Sequence, residues 1–171
     1  VIQKEQVLWN SFKEKFHDSF INIEQVYKNQ SLFNEFDEDS IGEVFKGCYP
    51  LHPVSMFVLP RLSERVAQNE RTLFTFLSAS GSSTLLSYLE SYGDDKYDLI
   101  SPDMIYDYFE PLLKKEIYSG TLHDVYQLTS IILNRLPVES LESKIVKTLS
   151  LIYMLEQFEK LNPSKDTIVN V

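Results

Sequence analysis

Cysteine, glycine and arginine are scarce in this chain, and no long apolar run occurs. Cys48 is the single cysteine among 171 residues, which excludes a disulfide framework and a cysteine-based zinc site. A reducing, cytoplasmic setting is the expectation that follows. Five glycines and seven prolines are too few for a turn-rich all-β fold. The longest apolar runs, such as Met56-Phe57-Val58-Leu59-Pro60, fall far short of the roughly 20 residues that span a bilayer. Val1-Ile2-Gln3-Lys4-Glu5 has no apolar core of a signal peptide, so no membrane partner is expected. The first residue is not Met and the helical pattern begins almost at once, which suggests a piece of a longer polypeptide. Basic residues are also in deficit: 16 Lys+Arg stand against 25 Asp+Glu, a net charge of −9. That is the opposite of the basic footprint of a nucleic-acid or anionic-membrane binder.

What is present is a helical pattern. Hydrophobic residues make up 43%, enough for a packed core, and the aromatics include 10 Tyr and 11 Phe. Val7, Leu8, Phe12, Phe16 and Phe20 recur at near-helical spacing and predict one helix over 4–20. Ile23, Val26, Tyr27 and Phe33 predict a second over 22–34. Asp39 or Ser40 would cap the next. Pro50 and Pro53 enforce an extended entry into a helix with Val54, Phe57, Val58, Leu62 and Val66 inward, which Pro60 should kink or divide. Asn69 reads as the N-cap of a helix carrying Leu73, Phe74 and Leu77, and Leu85, Leu86 and Leu89 form another short one. Ser101-Pro102-Asp103 opens a helix, residues 121–136 another, and 139–160 a long one with Leu141, Ile145, Leu149, Ile152 and Leu155 inward. Asn162-Pro163-Ser164 starts a last turn. The fold class is all-α. The best internal boundary is Tyr92-Gly93-Asp94-Asp95-Lys96, dividing the chain into regions 1–92 and 97–171.

Catalytic constellations are missing. His17, His52 and His123 are scattered, with no second ligand at helix spacing for a metal. His123 and Asp124 are neighbours and should point to different helix faces. No Gly-x-Ser-x-Gly elbow occurs. Gly42-Glu43-Val44-Phe45-Lys46-Gly47 has the glycine spacing of a phosphate-binding loop, but Cys48-Tyr49 stand where Lys and Ser/Thr are needed, so the spacing is read as coincidence. The chain is therefore expected to be no enzyme, with no cofactor or metal of its own.

One cluster stands out. Of only four arginines, three lie between positions 61 and 71: Arg61, Arg65 and Arg71. Arg61 and Arg65 are four apart and share a helix face. Arg71 falls in the first turn of the helix that Asn69 would cap, where free N–H groups and the dipole favour an anion beside a guanidinium. An ordinary solvated face, neutralised by Glu64 and Glu70, is the plainer reading of the same residues.

Three stretches resemble a family signature: Tyr49-Pro50-Leu51-His52-Pro53, Leu59-Pro60-Arg61-Leu62-Ser63, and Ala67-Gln68-Asn69-Glu70-Arg71-Thr72-Leu73-Phe74-Thr75-Phe76-Leu77. They are similar to a segment of large bacterial AAA-like P-loop ATPases, distantly similar to origin-recognition ATPases and in some cases linked to phage defence. The resemblance covers about residues 45–171 and is most specific at 49–77. It implies a helical bundle like an AAA lid, following the nucleotide-binding core. Leu141 through Leu149 and Pro163 through Val171 would then begin a winged-helix-like module. It also implies that Arg71 senses the terminal phosphate of ATP, and that ATP and Mg²⁺ belong to the parent protein. The expected function is a non-catalytic regulatory fragment that couples nucleotide state to conformational change, with the ATPase core of the same polypeptide as its partner. The alternative is a free-standing helical protein–protein interaction module, with protein partners or a homo-oligomer. Lys144, Lys147, Lys160 and Lys165 are outnumbered by Glu139, Glu142, Glu156, Glu159 and Asp166, so nucleic-acid binding through the final segment is not expected.

Overall fold

Apolar periodicity near 3.6 with few turn residues leaves helices as the only elements that can bury this chain's side chains, and helices are what form. A computed structural model describes residues 4–37, 40–67, 71–91, 96–115 and 120–171. Ten α-helices occur among them: α1 (Gln6–Lys15), α2 (His17–Tyr27), α3 (Ile41–Cys48), α4 (Pro53–Ala67), α5 (Arg71–Ser78), α6 (Leu85–Ser91), α7 (Pro102–Leu113), α8 (Thr121–Leu133), α9 (Leu141–Leu155) and α10 (Lys165–Val169). A 3-10 turn at Ser31–Phe33 separates α2 from α3. The described residues contain no strand, and the one β-bridge pairs Leu51 with Ile100. The His52 N–H donates to the Ile100 carbonyl at 3.1 Å, and the Ile100 N–H donates to the Pro50 carbonyl at 2.8 Å. The extended entry enforced by Pro50 and Pro53 thus acquires a backbone partner, and the Tyr49–Pro50 bond is cis.

Helix α4 lies at the centre. It packs on α7 and α9, while α8 packs on α9 and α5 follows on α4. Val54, Phe57, Val58, Leu59, Leu62 and Val66 join Ile100, Ile105, Tyr106, Phe109, Leu151, Ile152, Met154 and Leu155 in one core. Each fully buried branched side chain contributes roughly 1.5–3 kcal/mol of transfer free energy, so these contacts dominate the fold. The α8–α9 contact is polar at its middle. Thr129 and Ser150 hydrogen-bond each other there; one hydroxyl donates to the other, and the one that accepts donates to a carbonyl of its own helix, Val125 at 2.7 Å from Thr129 or Val146 at 2.8 Å from Ser150. Small side chains let the two backbones approach, and every buried hydroxyl of the pair is satisfied.

Several expectations are corrected. The helix foreseen over 4–20 is two, broken at Phe16 (φ −110°, ψ 26°). The apolar register continues unshifted across the break, so periodicity could not reveal it. The helix foreseen over 22–34 ends at Tyr27. Pro60 does not divide α4, which runs on to Ala67. Pro60 lacks an N–H and loosens the turn before it, and there the Arg61 guanidinium donates to the Phe57 carbonyl at 3.1 Å. The long final helix stops at Leu155 because Glu156 takes a left-handed conformation (φ 55°). Leu141, foreseen inward, is exposed, whereas Ser143 and Thr148 are buried. The helix starts at Pro53, Pro102 and Lys165 fall close to where proline and serine signals put them, and α9 starts at Leu141 rather than 139; Ser140 and Ser164 accept the Ser143 N–H and the Thr167 N–H. The Asn69 cap and most of the proposed 92–96 boundary lie outside the described residues.

Helix α9 has its last carbonyls gathered by α4. Arg65 donates to the Leu155 carbonyl at 2.8 Å and to the Glu156 carboxylate at 2.6 Å. A guanidinium at a helix C-terminus meets both the orphan carbonyls and the negative dipole end. Arg65→Ala is therefore expected to lower stability by about 1–2 kcal/mol, and Glu156→Gln by less than half of that, because the backbone bond survives. Urea denaturation of the two variants checks the order; an equal loss would show that the carboxylate, not the helix end, is what Arg65 serves.

Candidate functional site

Three arginines near one another in sequence have three different surroundings. Arg61 stacks its guanidinium on the Phe57 ring, 3.7 Å from the centroid, besides donating to the Phe57 carbonyl. Its charge also reaches Glu35, whose carboxyl is held below its ordinary range chiefly by the hydrogen bond and charge of Lys160. Arg65 is committed to the end of α9. Arg71 is the first residue of α5, exposed, and joined to no described residue by a hydrogen bond or ion pair. Helix α5 is anchored beneath it: Thr72 and Phe76 are buried, the Tyr108 hydroxyl donates to the Thr72 carbonyl at 2.8 Å, and the Phe76 ring meets Tyr108 edge-on at 5.0 Å. An exposed cation thus stands at the start of a helix that is anchored by buried side chains.

Gly42 and Gly47, spaced like a phosphate loop, lie inside α3. The intervening amides are spent on helix hydrogen bonds, so this segment has no cradle for phosphates. Among the described residues no group of three His, Cys, Asp or Glu stands close enough to hold a metal. The histidines are far apart in role. His17 is exposed, and His123 places Nδ1 3.5 Å from the Asp124 carboxylate, so those two neighbours do not point fully apart. Cys48 is half-buried, and burial pushes its thiol up from the ordinary range.

His52 is the polar centre that the sequence does not announce. It is buried between the bridge at Leu51 and the start of α4. Its Nδ1 accepts the Val54 N–H at 3.2 Å, which puts the ring proton on Nε2. Nε2 then donates to the Asn170 carbonyl at 3.1 Å, and the Tyr27 hydroxyl donates to the same oxygen at 2.7 Å. The two side chains, edge to face at 5.3 Å, hold the end of α10 from α2 and α4 together. Beside them opens a groove of about 450 Å³ lined by Asn22, Val26, Tyr27, His52, Leu99 and Val169, among others. Only the prolines flanking His52 hinted at its placement; nothing in the sequence links it to Tyr27 or Asn170.

Many of the aromatics pack on one another, half-buried, at the start of the chain. Trp9, Phe12 and Phe20 surround Tyr49 at 5.8, 5.0 and 5.7 Å between ring centroids, and Tyr97 closes on Tyr49 at 5.3 Å. Such pairs contribute about 0.5–1.5 kcal/mol each beyond their burial. This cluster pins α1 and α2 to the turn before Pro50 and to the segment before Ile100.

Burial lowers the His52 pKa to about 4, and a proton on Nδ1 would also confront the Val54 N–H. The neutral ring is the one that folding favours. Its stabilisation is complete above the ordinary value of 6.5 and is lost as pH falls toward 4, because the unfolded chain takes up the proton first. The loss across that window is expected to reach about 3 kcal/mol. His52→Gln keeps a donor for Asn170 but does not titrate, so its stability should fall less between pH 7 and 4.5 in urea denaturation. Parallel pH slopes would place the titration elsewhere. Comparison of the chain with protein-family models, curated proteins and solved structures finds no significant match.

Proposed function

We propose that this chain is a non-catalytic helical regulatory unit of a larger ATP-binding protein, coupling nucleotide state to conformational change. The observation that carries the reading is Arg71. It is exposed, with no hydrogen bond or ion pair to the described residues, at the start of a packed helix, while its neighbours Arg61 and Arg65 are consumed by structural contacts. The resemblance at 49–77 points to the same residue as a sensor of the terminal phosphate. The glycine-spaced segment does not fit a nucleotide phosphate, since it lies in α3 and no Lys-Ser/Thr follows it. The nucleotide would be held by an ATPase core of the same polypeptide, with Arg71 reaching it from outside. An AAA lid and the start of a winged-helix-like module are the finer parts of this proposal, as are a bacterial source and a place in phage defence.

A second reading, a helical interaction module, draws support from apolar side chains left outside, Val138, Leu8 and Val7 among them. The two readings part on the coding sequence before Val1, where the first requires a Gly-x-x-x-x-Gly-Lys-Ser/Thr motif. In the intact protein Arg71→Ala is expected to lower ATP turnover by about 100-fold, the order seen when one charge-stabilising donor is removed. Its circular dichroism should match the parent, because Arg71 supports no described contact. Unchanged turnover would remove Arg71 from the mechanism.

A further inference from the structure

Helix α8 turns Tyr126 and Thr129 toward α9 and α7 and leaves an outer stripe in solvent. Asp124, Leu128, Ile131 and Arg135 form that stripe: at about 100° per residue they fall within about 60° of one another. Arg135 lies just past the helix, where its N–H still donates to the Ile132 carbonyl at 2.9 Å. All four are exposed, with Leu128 at 60% and Ile131 at 52%. The flanking Thr121, Gln127 and Asn134 are exposed and carry no charge. Two branched apolar residues are thus bracketed by one acid and one base.

That order is self-complementary. Leu128 and Ile131 are centred on the point between Thr129 and Ser130, and so are Asp124 and Arg135. When a second α8 runs antiparallel about an axis through that point, Leu128 meets the partner's Ile131, and Asp124 meets the partner's Arg135. A parallel pairing would instead oppose Asp124 to the partner's Asp124. We infer that the outer stripe of α8 is the interface of a two-fold dimer of this chain, paired antiparallel, α8 against α8. The assignment does not depend on the nucleotide reading. A stripe this short buries less than the roughly 1,000 Å² of a strong interface, so association is weak and follows protein concentration. It is helped by moderate salt, since a Debye length of about 8 Å screens the −9 of each chain and leaves the apolar contact intact.

Sedimentation of the chain over a concentration series tests this. Wild type should move from the mass of a monomer toward that of a dimer. The double variant L128Q/I131Q should stay monomeric with unchanged helical circular dichroism. D124R alone and R135D alone should each weaken association several-fold, since each opposes like charges across the axis. Mixed in equal amounts, the two should associate with each other better than either does alone, since opposite charges then face each other; the register is read from the loss in each single variant, because a parallel wild type would already oppose like charges. A wild type that is monomeric at every concentration, a dimer that survives L128Q/I131Q, or a mixture no better than its components would each overturn the assignment.

Discussion

Helix α4 has almost no side that can face water, and that constraint orders the rest of the molecule. Val54, Val58 and Leu62 are fully buried, and Phe57 and Leu59 nearly so. With Ser55, Ser63 and Val66 these positions wrap about two-thirds of the helix circumference, and a helix of that kind must be surrounded rather than covered. Helices α7 and α9 supply most of the cover, and the bridge between Leu51 and Ile100 draws the chain across its entry. Apolar burial decides this arrangement. The polar ties at its edges are individually worth about a kilocalorie and serve to fix where the surrounding helices end.

Those ties fall on α4 because it is the one element near so many chain ends. His52, just before it, holds the Asn170 carbonyl beside Tyr27, and Arg65, near its end, holds the Leu155 carbonyl. Lys160 makes a comparable tie from the loop after α9, pairing with Glu35 and offering its carbonyl to the Ser31 hydroxyl at 3.1 Å. An acidic protein with four arginines therefore spends two of them on its own helix framework. The two others, Arg71 and Arg135, stand outside it, and each is where a contact with another molecule has been argued.

Local signals were legible in the sequence, and long-range ones were not. Proline and serine at helix starts act within a turn, so Pro53, Ser101-Pro102 and Ser164 mark real starts. Helix α8 has one covered side, and its buried Tyr126 and Thr129 fall at helical spacing. The inward set of α9 was legible only in part, at Ile152 and Leu155. That helix is met by α4, α7, α8 and α10 together, so Ser143, Thr148 and Ser150 are buried while Leu141 is not. Periodicity assumes a single apolar face and fails for a helix with several neighbours. The pairing of His52 with Asn170 spans 118 residues, and no local pattern encodes a contact at that separation. At the candidate site, the arginine cluster was visible as spacing; that Arg61 and Arg65 are structural required knowing what lies beyond α4.

The same helix gives the proposed coupling a physical route. An α-helix of 15 residues is a rod of about 22 Å, and α4 resists bending because its neighbours enclose it. At its far end the chain leads to Arg71 and α5, which packs back on α4; at its near end His52 grips the end of α10. A load on Arg71 would reach α5 first, through buried Thr72 and Phe76, and only then the rod. Because packed interiors move between discrete arrangements rather than deform continuously, such a load would be felt where the rod's contacts are polar and few. The grip on Asn170 is such a place: two hydrogen bonds to one carbonyl, beside an open groove rather than a filled core. If Arg71 couples as proposed, α10 would be the element whose position changes and the aromatic cluster around Tyr49 the part that stays.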